Sequence, residues 1–239
     1  MADEKHKAQS EIAKAASKGI EATQQLGQFV SRVIGEPLDN AVGIVGDKLK
    51  YMRWERQLRL MDRCNEMLAQ RRIEGKTRSV APKFAIPVIE NASMEEDDEL
   101  QDLWARLLTS SLDPSFSGEL RNAFIDILKQ LETTDVYLLS LLHSSYVLHV
   151  KKFGESSPAS PSGVGFDSKE LREHLGLDVV VYENCADNLM RVRCVASQVI
   201  KTDSFRVGNE SMTIDKGYDA LCITSLGLAF VEACISQAE

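Results

Sequence analysis

The sequence predicts a mainly α-helical protein: long N-terminal helices, a central antiparallel helical core and a C-terminal winged-helix-like α+β module. Three observations predict it. Apolar residues recur in steps of three and four through successive segments; residues with capping spacing stand at the heads of several of them; and beyond Arg193 short apolar runs replace the helical period. The expected divisions are an N-terminal helical region over 1–75, an extended connector over 76–90, a helical core over 91–150, a flexible loop over 151–166 and the winged-helix-like module over 167–239.

In the first region Ile12, Ala16, Ile20, Thr23, Leu26, Val30 and Val33 form one apolar stripe, which Gly35 and Pro37 interrupt. A second helix is expected within 47–74, ended by Gly75, with Tyr51, Trp54, Leu58, Met61, Asn65 and Leu68 spaced as a coiled-coil seam. These six residues are the candidate partner-binding surface, Asn65 being a polar seam position able to fix register. Gly19, Gly27, Gly35 and Gly43 do not line one helix face, because eight residues advance about 80° beyond two turns. Packing against a partner helix is therefore expected before a peripheral membrane contact.

The two prolines at 82 and 87 and the missing helical period read as an extended connector. Ser93 and Glu96 have the spacing of a capping box, and the acidic run Glu95–Glu99 lies where a helix N-terminus attracts negative charge. Leu100, Leu103, Trp104, Leu107 and Leu108 then share a face until Asp113 and Pro114 close the helix. Leu120, Ala123, Phe124, Ile127, Leu128 and Leu131 form the next stripe; Thr133 or Thr134 caps a third helix running to about Val150, with Val136, Leu139, Leu142, Tyr146 and Val150 inward.

Residues 153–166 are rich in Gly, Ser and Pro and read as a mobile loop. Asp167 and Glu170 head a short helix that Gly176 ends, followed by a helix near 179–193, a hairpin through 195–206 and 220–224, and a last helix over 226–235. That order is the order of a winged helix-turn-helix.

Hydrophobic residues make up 44% of the 239 residues, enough for one large core or two modest ones. The net charge of −8 disfavours indiscriminate binding to phosphate backbones. It is unevenly spread, at +4 over 1–82, −7 over 83–134 and −5 over 135–239, a pattern open to self-association, intramolecular docking or solvated faces. Five cysteines without a C-x-x-C pair argue against a disulfide framework or structural zinc, and the charged N-terminus lacks a signal-peptide core. The longest uncharged stretch, Val136–Val150, is too short and too polar to span a bilayer, so a cytoplasmic protein is expected.

The chain has no nucleophile elbow, phosphate loop, dinucleotide fingerprint or zinc-binding histidine pair among His6, His143, His149 and His174. The acidic cluster is accounted for by helix capping, and Trp104 by its place on a leucine stripe. No catalytic residue, cofactor, metal or small-molecule substrate is expected. For nucleic acid the candidates are Arg191 and Arg193 at the end of the second helix of the motif and Lys201 and Arg206 in the wing, a thin electrostatic footprint.

The run from Ile89 to Leu108, with its acidic helix start, Leu100, Leu103-Trp104-Ala105 and paired Leu107-Leu108, resembles the central signature of the bacterial abortive-infection alpha family. The likeness continues through Asp113-Pro114 into Phe124–Leu131 with its Ile-Leu-Lys-Gln-Leu ending. The resemblance implies defence against phage and supplies no catalytic residues to transfer. The expected function is thus a non-enzymatic antiviral protein acting through protein–protein contacts with a partner or a second copy. The alternative is a winged-helix transcriptional regulator that binds DNA.

Overall fold

The computed structural model describes residues 21, 24–35, 54–154, 157–158, 160–200, 205–207, 210–212 and 218–235, the side chains of 54, 200, 205–207, 210–212 and 218 excepted. The chain divides into two compact units, Met1–Ser117 and Gly118–Glu239. The three helices expected as one core over 91–150 therefore fall on both sides of the division.

In the first unit, α1 (residues 24–34) buries Leu26, Val30 and Val33, the part of the N-terminal stripe that lies within the described residues, together with Phe29 and Ile34. Gly35 ends it in the left-handed region at φ 71°, where a side chain would also meet Ser79. The second helix, α2 (Trp54–Gln70), stops five residues before Gly75. Its close is a Schellman turn: Ile73 N–H donates to Leu68 O, Arg72 N–H to Ala69 O, and Arg72 itself takes φ 57°.

The expected extended connector is a correction. Residues Pro82–Met94 form a helix, α3. Pro82 occupies its first turn, where no N–H partner is needed, and Pro87 forfeits a single backbone bond in the interior. Burial of Phe84, Ala85, Val88, Ile89 and Ala92, a helical stripe that runs on past Pro87, outweighs that loss. Because α3 runs to Met94, Ser93 is not a cap: it is buried inside α3, its Oγ donating to Glu90 O at 2.7 Å. The cap of α4 (Asp98–Leu112) is Asp97, whose Oδ1 accepts from Glu99 N at 2.8 Å and Leu100 N at 3.1 Å.

Helix α4 is the centre of this unit, buried on nearly every side from Leu100 to Leu112, with α2 and α3 packed on it and on each other. Gln101 is buried with the leucines because its Nε2 donates to Ala92 O at 3.2 Å and Arg56 O at 3.3 Å. The uneven charge along the sequence resolves here as docking within the chain. Arg56, Arg59 and Arg63 lie on one face of α2; Arg56 pairs with Glu96 (3.6 Å), Arg59 with Asp98, and Arg63 with Asp98 (3.6 Å) and Asp102 (3.0 Å). Pairs this exposed contribute about 0.5 kcal/mol each, so they fix orientation more than stability.

Asp113, the C-cap of α4, is buried and receives Ser115 N (2.8 Å), Ser115 Oγ (2.6 Å) and Arg71 (3.1 Å). Burial alone would raise its carboxyl, but the Ser115 hydrogen bonds and the Arg71 guanidinium outweigh it and hold the group below the ordinary aspartate value. A carboxyl whose folded pKa is depressed contributes stability that is present above its unfolded value and lost as pH falls through the folded one. Wild-type urea midpoints are therefore expected to fall between about pH 5 and pH 3 by more than those of Asp113→Asn. Parallel slopes for the two proteins would refute the assignment.

The second unit starts with α5 (Ala123–Leu128), shorter than the 120–131 stripe: Phe124, Ile127 and Leu128 are buried as expected, Leu131 is buried in the following turn, and Ala123 is exposed. Helix α6 (Thr133–Phe153) is capped by Glu132 in place of either threonine, through a reciprocal capping box with Asp135. Leu138, Leu139 and Leu142 face the core, with Phe124 meeting Phe230 edge to face at 5.7 Å. Within residues 151–166, Pro161–Gly163 form a single 3₁₀ turn with Pro161 and Val164 buried.

Then follow β1 (Phe166–Asp167), α7 (Ser168–Leu175), α8 (Val179–Arg191), β2 (Val195–Ile200), β3 (Phe205–Val207), β4 (Glu210–Met212), β5 (Tyr218–Ile223) and α9 (Ser225–Cys234). The sheet is antiparallel in the order β1–β5–β2, with Val195 opposite Ile223 and Ile200 opposite Tyr218, while β3 and β4 form a separate hairpin. Strand, helix-turn-helix and two strands with a wing between them make this module winged-helix-like. Asp167 and Gly176 bound α7 as expected, Asp167 Oδ1 accepting from Lys169 N and Glu170 N and Gly176 adopting φ 64°.

Candidate functional site

The described residues of the expected partner-binding seam are turned largely inward. Met61 and Leu68 are buried, Leu58 is half-buried, and Asn65 Oδ1 accepts from Arg32 at 2.6 Å, which ties α2 to α1. The reason is that α2 packs on α3 and α4 and spends this face inside its own unit. Tyr51 and the side chain of Trp54 lie outside the described residues.

Several of the described groups that could carry chemistry are occupied or muted. Glu95 and Asp97 bind backbone N–H groups at the head of α4, and Asp98 faces arginines. Among the described residues no group of three or more His, Cys, Asp and Glu is placed to hold a metal ion. Cys64, Cys185, Cys194, Cys222 and Cys234 are all buried; burial pushes Cys64 and Cys194 up to about 12 and raises the others, so none is poised as a thiolate. Burial holds the His143 imidazole below its ordinary value, with Glu232 working in the opposite direction. His149 stacks on Phe153 at 4.5 Å.

The nucleic-acid candidates are scattered. Arg191 donates to Gln130 Oε1 and Asn188 Oδ1, so its guanidinium is engaged by its own unit. Arg193 is exposed just past α8 at φ 65°; Lys201 and the side chain of Arg206 lie outside the described residues. The structure brings none of these four together into a described patch.

What the module does present is the start of α8, the second helix of the helix-turn-helix. Asp178 caps it by accepting from Val180 N at 2.9 Å. Tyr182, Cys185, Ala186 and Leu189 face inward. Outward stand Val179, Val180 and Val181, at 46%, 61% and 41% exposure, with the exposed Glu183 and Asp187 behind them. Three adjacent exposed valines at a helix start are what an interface needs and what a solvated turn avoids. Sequence reading placed this helix and missed the site, because a Val-Val-Val run carries no sign of which side is covered.

A family model described as abortive infection alpha matches residues 55–234. The chain belongs to the abortive infection alpha family. The match starts within α2 and ends on the last residue of α9, so the family's span in this abortive infection alpha protein takes in both units and the exposed valines of α8. No curated protein and no solved structure matches the chain.

Proposed function

We propose that this abortive infection alpha protein takes part in phage resistance by protein–protein contact, without catalysing a reaction, and that the start of α8 is its contact surface. The observation that carries the reading is the exposed Val179–Val181 run on the helix that a DNA-binding winged helix would insert into the major groove. On that helix the outward groups behind the valines are Glu183 and Asp187, which repel phosphate, and Arg191 is turned to Gln130. A partner surface with an apolar centre fits the helix better than a duplex does. The buried thiols and the occupied carboxylates at the head of α4 support a role without chemistry of its own. Five reduced cysteines suit action in the cytoplasm.

The test is phage plating on cells that express the wild-type protein or Val180→Asp. Val180 is the most exposed of the three valines, so the variant is expected to fold with an unchanged melting temperature and to lose protection by about tenfold or more in plating efficiency, since an interfacial charge without a partner costs over 2 kcal/mol. Full protection by Val180→Asp would end the reading. The DNA-binding alternative predicts salt-sensitive duplex binding that weakens in Arg191→Ala, read by fluorescence anisotropy.

A further inference from the structure

Beside the valines of α8 lies a groove of about 660 Å³ bounded by the start of α7, one face of α8 and the β2–β5 face of the sheet. Val179, Tyr182, Glu183 and Asp187 line it from the helix, and Asp219 lines it from β5. Its lining is predominantly acidic, with Asp167, Glu183, Asp187 and Asp219 against Lys169 and Arg172. Glu183, Asp187 and Asp219 are exposed, and none of their carboxylates has an ion pair or hydrogen bond among the described residues. The two cations on the same wall, Lys169 and Arg172, lie near Glu173 instead, at 3.8 and 4.0 Å. Asp167, also on the wall, uses its Oδ1 to cap α7.

A second feature points to an occupant. Tyr182 is only 6% exposed, and its hydroxyl is buried with no hydrogen bond of ordinary geometry; burial raises its pKa, with the nearby Ser168 side chain working in the opposite direction. A buried phenol without a partner is costly, and it can both donate and accept. The rim beyond it is apolar. Val199 is 62% exposed and is the cross-strand partner of Asp219, so the two share one sheet face, and Val180 stands at the other side.

We propose that this groove binds a lysine- or arginine-bearing segment of a partner protein, the cationic side chain lodging among Glu183, Asp187 and Asp219 and its apolar neighbours covering Val179 and Val180. The occupant is chosen by complementarity. Three carboxylates without an ion pair among the described residues favour a cation over phosphate, and contiguous valines favour a segment with branched apolar side chains over the thin methylene chain of a free polyamine. The inference deepens the protein-contact reading of α8 and rests on it.

The experiment uses the full chain and a fluorescein-labelled nonapeptide alternating lysine with valine, followed by anisotropy. Saturable binding is expected that weakens with added salt, while the same peptide with glutamate for lysine does not bind. Asp187→Asn combined with Asp219→Asn, both exposed positions that leave the fold intact, is expected to weaken it about tenfold; Glu119→Gln with Asp126→Asn, an equal change of charge elsewhere in the unit, is expected to change it less than about twofold. Equal binding by both double variants, binding of the glutamate peptide, or displacement by spermidine at the peptide's own concentration would each overturn the proposal. Phage plating separates the two levels. If Val180→Asp abolishes protection while Asp187→Asn/Asp219→Asn alters neither plating nor peptide binding, the groove assignment fails and the contact reading stands. If Val180→Asp protects fully, the contact reading fails whatever the peptide does.

Discussion

Gly227→Ala is expected to lower the melting temperature by roughly 10 °C, an effect of about 3 kcal/mol. Gly227 is the third residue of α9, and a Cβ there would lie 2.1 Å from Cys194 O, 2.8 Å from Cys194 C and 3.0 Å from its Cα. These are backbone atoms, so no rotamer change relieves the clash. The helix must lift instead. Lifting breaks the bond from Thr224 N to Cys194 O (3.0 Å) and that from Thr224 Oγ1 to Arg193 O (2.7 Å), and draws Phe230, Val231 and Cys234 away from the core. The sign is diagnostic, because helix propensity alone would make alanine stabilising by about 1 kcal/mol. Thermal unfolding followed by circular dichroism decides it, and an unchanged or raised midpoint would show that α9 can move away from residue 194 at little cost.

Trp104→Ala is expected to cost about 4 kcal/mol, and Trp104→Phe less than about 2 kcal/mol. Trp104 is 1% exposed on the stripe it shares with Leu100, Leu107 and Leu108. Truncation to alanine leaves a large void in the most buried helix of the first unit. Its indole Nε1 is buried without a hydrogen-bond partner, so the ring also carries an unpaid desolvation cost that phenylalanine removes while keeping most of the apolar surface. Urea unfolding by far-ultraviolet circular dichroism measures both, and fluorescence does not serve because one of only two tryptophans is replaced. Equal losses in the two variants would mean that the donor is satisfied in solution.

The parts of the fold that were legible are those set within a turn or two of chain. The stripe from Leu100 to Leu108, Leu139 with Leu142, the Asp167 cap and the Gly176 stop each depend on neighbours three or four residues away, whereas Leu138 is buried in place of Val136, Tyr146 and Val150, which are half-buried. Where reading failed, a local signal was overridden by packing. The prolines at 82 and 87 argued for extended chain, yet the burial of Phe84, Val88 and Ile89 holds them in a helix; that helix then absorbs Ser93 and moves the cap to Asp97. Met61 and Leu68 of the seam on α2, read as a surface for a partner, are buried within their own unit, because period cannot say what covers a face. The strand β1, two residues long, is defined by its pairing with Leu221 and Ala220 and has no period of its own.

By itself the sequence determined that the chain is helical, where most of its helices lie, and that strands enter only towards the C-terminus, since hydrogen bonds and side-chain periods within a helix are closed over about four residues. Only the tertiary structure decided that the arginines of α2 meet carboxylates 35 to 40 positions further on, that Met61 and Leu68 of the α2 seam are buried in the first unit, and that Val179–Val181 stand open near Glu183, Asp187 and Asp219. Those outcomes depend on which surfaces meet across long stretches of chain, and contact between distant segments is selected by shape and burial, to which local spacing is blind.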